Sequence, residues 1–300
     1  MSRFALRLRG VNKRYGKTKA LDGLTLDVPK GAIVGLIGPN GAGKTTTFGV
    51  ASGNVRPDDG AIDVLGEGPF EPGRHGGRLT VLPQDCQLAP HSSARQLLRF
   101  YAELAGQTRA AAHRDADRVL DLVQLEGKAD ARVGQLSHGM KRRLAVAQAL
   151  LGEPELVLLD EPTGGLDPHL VVQMREVLRQ QRGKRTLVVS SHILADLEAI
   201  CDRVAFLDKG RCVQEGPVEE LTQQAGTLRI RLEEALDVDR IAGRAVSWEG
   251  ATLRIELAED EEPSTVNAEV LPALVEAGGR IVEVRVGESL EDAYMASRRR

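Results

Sequence analysis

The chain has 300 residues, 42% hydrophobic but only 3% aromatic, so an aliphatic core filling one large domain, or a large and a small one, is within reach. A formal charge of −3 excludes a strongly basic nucleic-acid binder, and no run of about 18 apolar residues is present to cross a membrane as a helix. Cys86, Cys201 and Cys212 have no CxxC spacing and fit a reduced, cytosolic chain, while the charge-interleaved residues Met1 to Arg9 hold no signal-peptide core.

Residues 3–9 and 24–28 alternate as strands, and Pro29-Lys30-Gly31 turns into a buried apolar strand from Ala32 to Ile37. Directly behind it stands Gly38-Pro39-Asn40-Gly41-Ala42-Gly43-Lys44-Thr45, a complete G-x-x-x-x-G-K-[ST] loop that opens a predicted helix. Each residue type there answers to an anion. The glycines let backbone N–H groups curl around the β- and γ-phosphates of a nucleoside triphosphate, Lys44 adds a point charge, and the Thr45 hydroxyl is placed for Mg²⁺. Arg56-Pro57-Asp58-Asp59-Gly60 turns into a short strand over 61–65, and Pro72 to Gly77, with His75, reads as a loop.

Helical periodicity covers 92–105 and 109–124, and a further helix runs from near Gly139 to about Leu151, which predicts a helical subdomain inserted at about 85–150. Strand 156–159, helix 168–181, strand 186–189, helix 193–201 and a hairpin of 204–207 with 211–214 then restore the rhythm of a parallel α/β sheet. Composition changes near Pro217. Residues 218–300 carry no lysine, ten arginines and eighteen acidic residues, for a net −8 against +5 for residues 1–217. The order predicted there is strand 227–233, a short helix near 238–243, strands 245–249 and 251–257, helix 264–278 and strand 280–286. That βαββαβ order is the ferredoxin-like split unit, so the fold class is an α/β phosphate-loop domain over 1–217 with a small α+β domain over 218–300. An acidic module of this kind opposes close self-pairing unless its charges point away from the contact.

Asp160 and Glu161 follow the apolar strand 156–159. A carboxylate at the C-terminal end of a strand next to the phosphate-loop strand can reach Mg²⁺, and a second beside it can polarise an attacking water. Leu136-Ser137-His138-Gly139-Met140 opens a helix, with Ser137 a suitable N-cap and Gly139 allowing close backbone approach. His91, His113 and His169 lack ligand spacing, and the Glu259–Glu262 run and the Arg298–Arg300 tail read as solvated segments.

Taken in order, Tyr15, the phosphate loop, Gln84 in Val81-Leu82-Pro83-Gln84, Leu136–Met140, Leu156–Glu161, Gly165-Leu166-Asp167-Pro168 and Ser190-Ser191-His192 resemble the nucleotide-binding subunits of ATP-binding cassette transporters. The resemblance covers most of residues 3–217. It implies that ATP and Mg²⁺ are bound, with Gly38 to Thr46 around the triphosphate and Tyr15 stacked on adenine. Thr45, Gln84 and Asp160 face Mg²⁺, Gln84 also senses the lytic water, Glu161 is the catalytic base, and His192 contacts the γ-phosphate. Ser137 and Gly139 clamp the γ-phosphate of another subunit, a second copy or a homologous ATPase, with Asp167 bridging the two sites. Integral-membrane permease subunits complete the assembly at the cytoplasmic face of the membrane, docking on the helical block around 85–135, and no nucleic-acid partner is expected. The signature departs from Leu-Ser-Gly-Gly-Gln at His138 and Met140. Met140 followed by basic residues is similar to exporter-type subunits with C-terminal extensions. The alternative is a soluble cassette ATPase working on DNA or ribosomes. Such chains carry two cassettes or a long coiled coil, neither of which is present between Thr45 and Leu136.

Overall fold

The computed structural model describes residues 2–222, 227–258, 261–287 and 289–297, so Glu259, Asp260 and the Arg298–Arg300 tail lie outside the described residues. The chain divides into two compact units, Met1–Gly216 and Pro217–Arg300.

The first unit opens on a long antiparallel hairpin, β1 (Phe4–Tyr15) and β2 (Thr18–Pro29), far longer than the two short strands expected. Its apolar residues keep burying through four register shifts, so the polar Arg9-Gly10 step ends no strand. After β3 (Ile33–Ile37) and α1 (Lys44–Ala51), β4 (Asp59–Val64) adds to the other side of β1 to close a three-stranded sheet. The 72–77 segment is not a plain loop. Pro72–His75 forms a helical turn, α2, and His75 is fully buried, its ring nitrogens held by the Glu71 backbone and by the Val64 carbonyl at 3.2 Å.

The second sheet of this unit has six strands. β5 (Leu79–Leu82) precedes the helical insertion α3 (Ala94–Leu104), α4 (Arg109–Leu122) and α5 (His138–Ala149). The insertion begins on a capping box at Ser93 and Gln96 and ends on a helix capped by Ser137, so its boundaries are written in side chains that satisfy the free N–H groups of a first turn. β6 (Leu156–Asp160), α6 (Pro168–Arg179), β7 (Thr186–Ser190), α7 (Leu194–Ile200), β8 (Arg203–Asp208) and β9 (Arg211–Pro217) complete the unit, in the order β5-β6-β7-β3-β8-β9. β3, β6 and β7 are buried along their whole length, the signature of parallel strands covered on both faces. One sequence expectation fails here: β6 is not next to the phosphate-loop strand β3, because β7 runs between them.

The second unit contains α8 (Val218–Thr222), β10 (Thr227–Leu232), the hairpin β11 (Arg240–Ile241) and β12 (Arg244–Ala245), β13 (Ser247–Glu249), β14 (Thr252–Glu256), α9 (Pro263–Glu276), β15 (Ile281–Val286) and α10 (Leu290–Ser297). Its sheet has the order β13-β14-β10-β15 with every described pairing antiparallel. Leu228, Ile230, Leu253 and Ile255 point from one face of this sheet onto Val266, Val270 and Leu274 of α9. The helix expected near 238–243 is instead the β11–β12 hairpin, turned by Ala242 and Gly243 at φ +49° and +76°, the left-handed pair that a tight hairpin demands.

Candidate nucleotide site

A cavity of about 360 Å³ is lined by Asn40 through Thr46 together with Tyr15, Thr18, Ala20, Gln84, Asp160 and Glu161. The phosphate loop leaves β3 and enters α1 under tight constraint. A Cβ on Gly38 would stand 2.5 Å from the Leu207 carbonyl oxygen, and one on Gly43, at φ +105°, would stand 2.6 Å from that of Ala20. Glycine is the one residue that fits either place. Lys44 is 8% exposed and donates to the Gly38 and Pro39 carbonyls at 2.7 and 3.2 Å. Burial pushes its pKa below the usual lysine value, opposed by the Glu161 and Asp160 carboxylates. An ammonium held this way gains from an incoming polyanion.

Asp160 ends β6 and reaches across β7 to the loop. Its Oδ2 accepts from the Thr45 hydroxyl at 2.8 Å, and its Oδ1 accepts from the Ser190 hydroxyl at the end of β7. The interposed strand therefore holds the acid through Ser190 while the carboxylate itself reaches the loop. Ser190 Oγ also accepts from the Glu161 N–H at 3.0 Å. Glu161 sits at φ +51°, an uncommon left-handed conformation for a side-chain-bearing residue. That turn aims its carboxylate at His192, with Oε2 3.0 Å from Nδ1. The carboxylate is largely buried and lines the cavity, whereas the imidazole is 58% exposed and lies outside the cavity lining, tied to it through Glu161.

Arg142 is the residue that sequence reading missed. It extends from α5 into the interior, 9% exposed, and donates to the carbonyls of Gln84 at 3.0 Å and of Asp160 and Glu161 at 2.6 Å each. Burial lowers its pKa from the usual arginine value. One guanidinium thus ties the helical insertion, the Gln84 segment and the end of β6. Its position within Lys141-Arg142-Arg143 gives no sign of burial, because a run of three basic residues reads as a solvated face.

Ser137 and Gly139 lie outside the cavity lining. Ser137 accepts from the Met140 N–H at 3.3 Å as N-cap of α5, and Asp167 caps α6 through the Leu170 N–H at 3.0 Å. A Cβ on Gly165 would meet His138 Nε2 at 2.7 Å, so the histidine in the altered signature packs flush on the Gly164-Gly165 turn.

A family model for the ABC transporter matches residues 21–164. A Nod factor export ATP-binding protein I of Burkholderia lata is 39% identical over 266 residues, 88% of this chain and 83% of that one. The chain belongs to the ABC transporter family. It is an ATP-binding subunit, and it hydrolyses ATP for transport. The structure of cbiO1 from Clostridium perfringens, described as part of the ABC transporter complex cbiONQ, matches this ABC subunit with a TM-score of 0.66 and 28% identity, covering 73% of this chain and 91% of that chain. The ATP-binding cassette MJ0796, described as dimeric and bound to ADP and Pi, has a TM-score of 0.65 at 22% identity over 71% of this chain and 98% of its own, a likeness of fold alone. Among the described residues no helix of this ABC subunit is long and apolar enough to cross a membrane.

Proposed function

We propose that the chain drives export through a separate permease, with two chains sandwiching two ATP molecules head to tail and Glu161 as the carboxylate that activates water. The observation that carries this is Glu161 itself. It is held in a left-handed turn at the rim of the phosphate-loop cavity, hydrogen-bonded at its N–H by Ser190 and paired through its carboxylate with His192. Such a carboxylate serves as general base for in-line attack on the γ-phosphate, with His192 holding it in place and reaching that phosphate. Exposed Tyr15 supplies a ring face for adenine, and Gly38 to Thr46 with Lys44 take the phosphates. Ser137 and Gly139, outside their own chain's cavity, are free to close on the ATP of a second subunit, with Asp167 near that junction.

The donor set fits Mg²⁺, a hard cation that prefers few protein oxygens and keeps phosphate and water for the rest. Thr45 and Asp160 present a hydroxyl and a carboxylate already 2.8 Å apart, and the Gln84 amide lines the same cavity. Bound there, the ion would neutralise charge on the β- and γ-phosphates. Hydrolysis is therefore expected to vanish on chelation, and Thr45→Val is expected to raise the Mg²⁺ concentration for half-maximal ATPase by about tenfold or more. Full turnover in excess chelator would overturn the assignment.

Export is supported by the relative named for it, with the permease choosing the cargo. The permease side is supported by exposed Phe100 and Leu104 on α3 and by a second cavity of about 480 Å³ between β5, α3 and α5, an apolar surface suited to a protein loop at the cytoplasmic membrane face. For the C-terminal unit, the order β13-β14-β10-β15 supports a ferredoxin-like module in which a hairpin stands where the first helix would be, serving to tune pairing rather than chemistry.

A further inference from the structure

β15 is the last strand of the C-terminal sheet, and among the described residues no strand pairs with its outer side. Its sequence is Ile281-Val282-Glu283-Val284-Arg285-Val286, and Val282, Val284 and Val286 are 47%, 38% and 52% exposed. A strand edge with a row of exposed valines is a template for another strand. The direction of its free hydrogen-bonding groups follows from its inner side. Gly287 donates its N–H to the Thr227 carbonyl, so the alternation of an antiparallel ladder sends the N–H and C=O of Val286 and Val284 outward.

We propose that β15 pairs antiparallel with β15 of a second copy of this chain, about a two-fold axis at Val284, joining two C-terminal sheets into one. A two-fold contact must be self-complementary, and the pleat requires facing residues to be on the same side of the sheet. Centring on Arg285 sets arginine against arginine, and centring on Glu283 sets glutamate against glutamate. Centring on Val284 sets each Glu283 opposite the other copy's Arg285. It also sets Val284 against Val284 and Val286 against Val282. The same register places the outward N–H and C=O of Val284 opposite their symmetry mates, so both bonds are exchanged. Glu283 already accepts from Arg231 at 3.3 Å on the exposed face, and a carboxylate has acceptor sites for a second arginine. The strip is itself neutral, with one glutamate and one arginine, although residues 218–300 carry −8, so the pairing strands bring no net charge of their own to the contact.

Such a pairing keeps two ATP-binding chains tethered between turnovers, so that closure on ATP becomes an event within one assembly. The test uses the full chain without nucleotide, a condition in which no ATP bridges the cassettes. Sedimentation velocity is expected to show a dimer for the wild type and mainly monomer for Val284→Lys, with the dimer Kd raised at least about tenfold by like charges facing across the axis. Unchanged ATP binding and far-UV circular dichroism would establish that the variant is folded. As a second measurement, Val284→Cys in a Cys86→Ser/Cys212→Ser background is expected to form an interchain disulfide on mild oxidation, since facing Cα atoms of a hydrogen-bonded pair stand about 5.5 Å apart, within bridging range. Val275→Cys, exposed on α9, is the comparison. A monomeric wild type, a Val284→Lys chain as dimeric as wild type, or equal cross-linking at Val275 overturns the proposal. A monomeric wild type would leave this edge for a strand of a different protein. No hydrolysis is read, so failure here leaves the nucleotide site unaffected.

Discussion

Glu161→Gln is expected to lower ATP turnover by roughly 10²–10⁴-fold while ATP still binds. Glutamine keeps the size of the side chain and the φ +51° turn can persist, because the Glu161 N–H still finds the Ser190 hydroxyl. What is lost is the negative charge that pairs with His192 and that, in the proposed role, accepts a proton from water. Lys44, Thr45 and Asp160 are untouched, so the variant should hold Mg²⁺ and ATP and accumulate as the closed dimer. Single-turnover hydrolysis together with gel filtration in ATP checks both halves. Wild-type turnover in this variant would remove Glu161 from the chemistry.

The second large effect is expected at Arg142. Replacing it with Met removes three hydrogen bonds from a charged donor, each worth about 1.5–3 kcal/mol in favourable cases, and leaves the buried Asp160 carbonyl and the partly buried Gln84 and Glu161 contacts without it. Part of that loss will appear as a lower Tm. The informative variant is Arg142→Lys, which keeps the charge but cannot spread donors over two separate segments. It is expected to lower kcat by about tenfold with KM for ATP nearly constant, because the guanidinium positions Glu161 and Gln84 while the phosphate loop holds the nucleotide independently. A rise in KM with kcat unchanged would mean that Arg142 supports binding instead.

What could be read in the sequence was set by how local each signal is. The phosphate loop is eight consecutive residues whose geometry is dictated by the anion, and Gly38 and Gly43 prove as constrained as the motif requires. Ser137 and Asp167 cap their helices through N–H groups three residues on, again a local matter. Asp160 and Glu161 were recognisable in kind, but not the way the acid reaches the loop. Strand order is a property of the whole sheet, so β7 lying between β3 and β6, and Ser190 holding the Asp160 carboxylate from it, had no local trace. Arg142 was hidden for a related reason. Its partners are backbone carbonyls far away in sequence, and carbonyls carry no residue identity. At 238–243, Val238 and Ile241 share helical spacing, and only the left-handed Ala242-Gly243 pair distinguishes a hairpin. β5 is four residues long, too short for alternation to stand out, and was not anticipated.

Sharing of each ATP between two chains is tested by complementation. Lys44→Ala disables the phosphate loop and Ser137→Arg blocks the clamp by bulk and charge, so each homodimer is expected to be inactive. The two variants are co-expressed with different tags, and the heterodimer is purified through both. One of its sites combines an altered loop with an altered signature, and the other combines a native loop with a native signature. This heterodimer is expected to hydrolyse ATP while neither parent does. A purified heterodimer as inactive as its parents would contradict it.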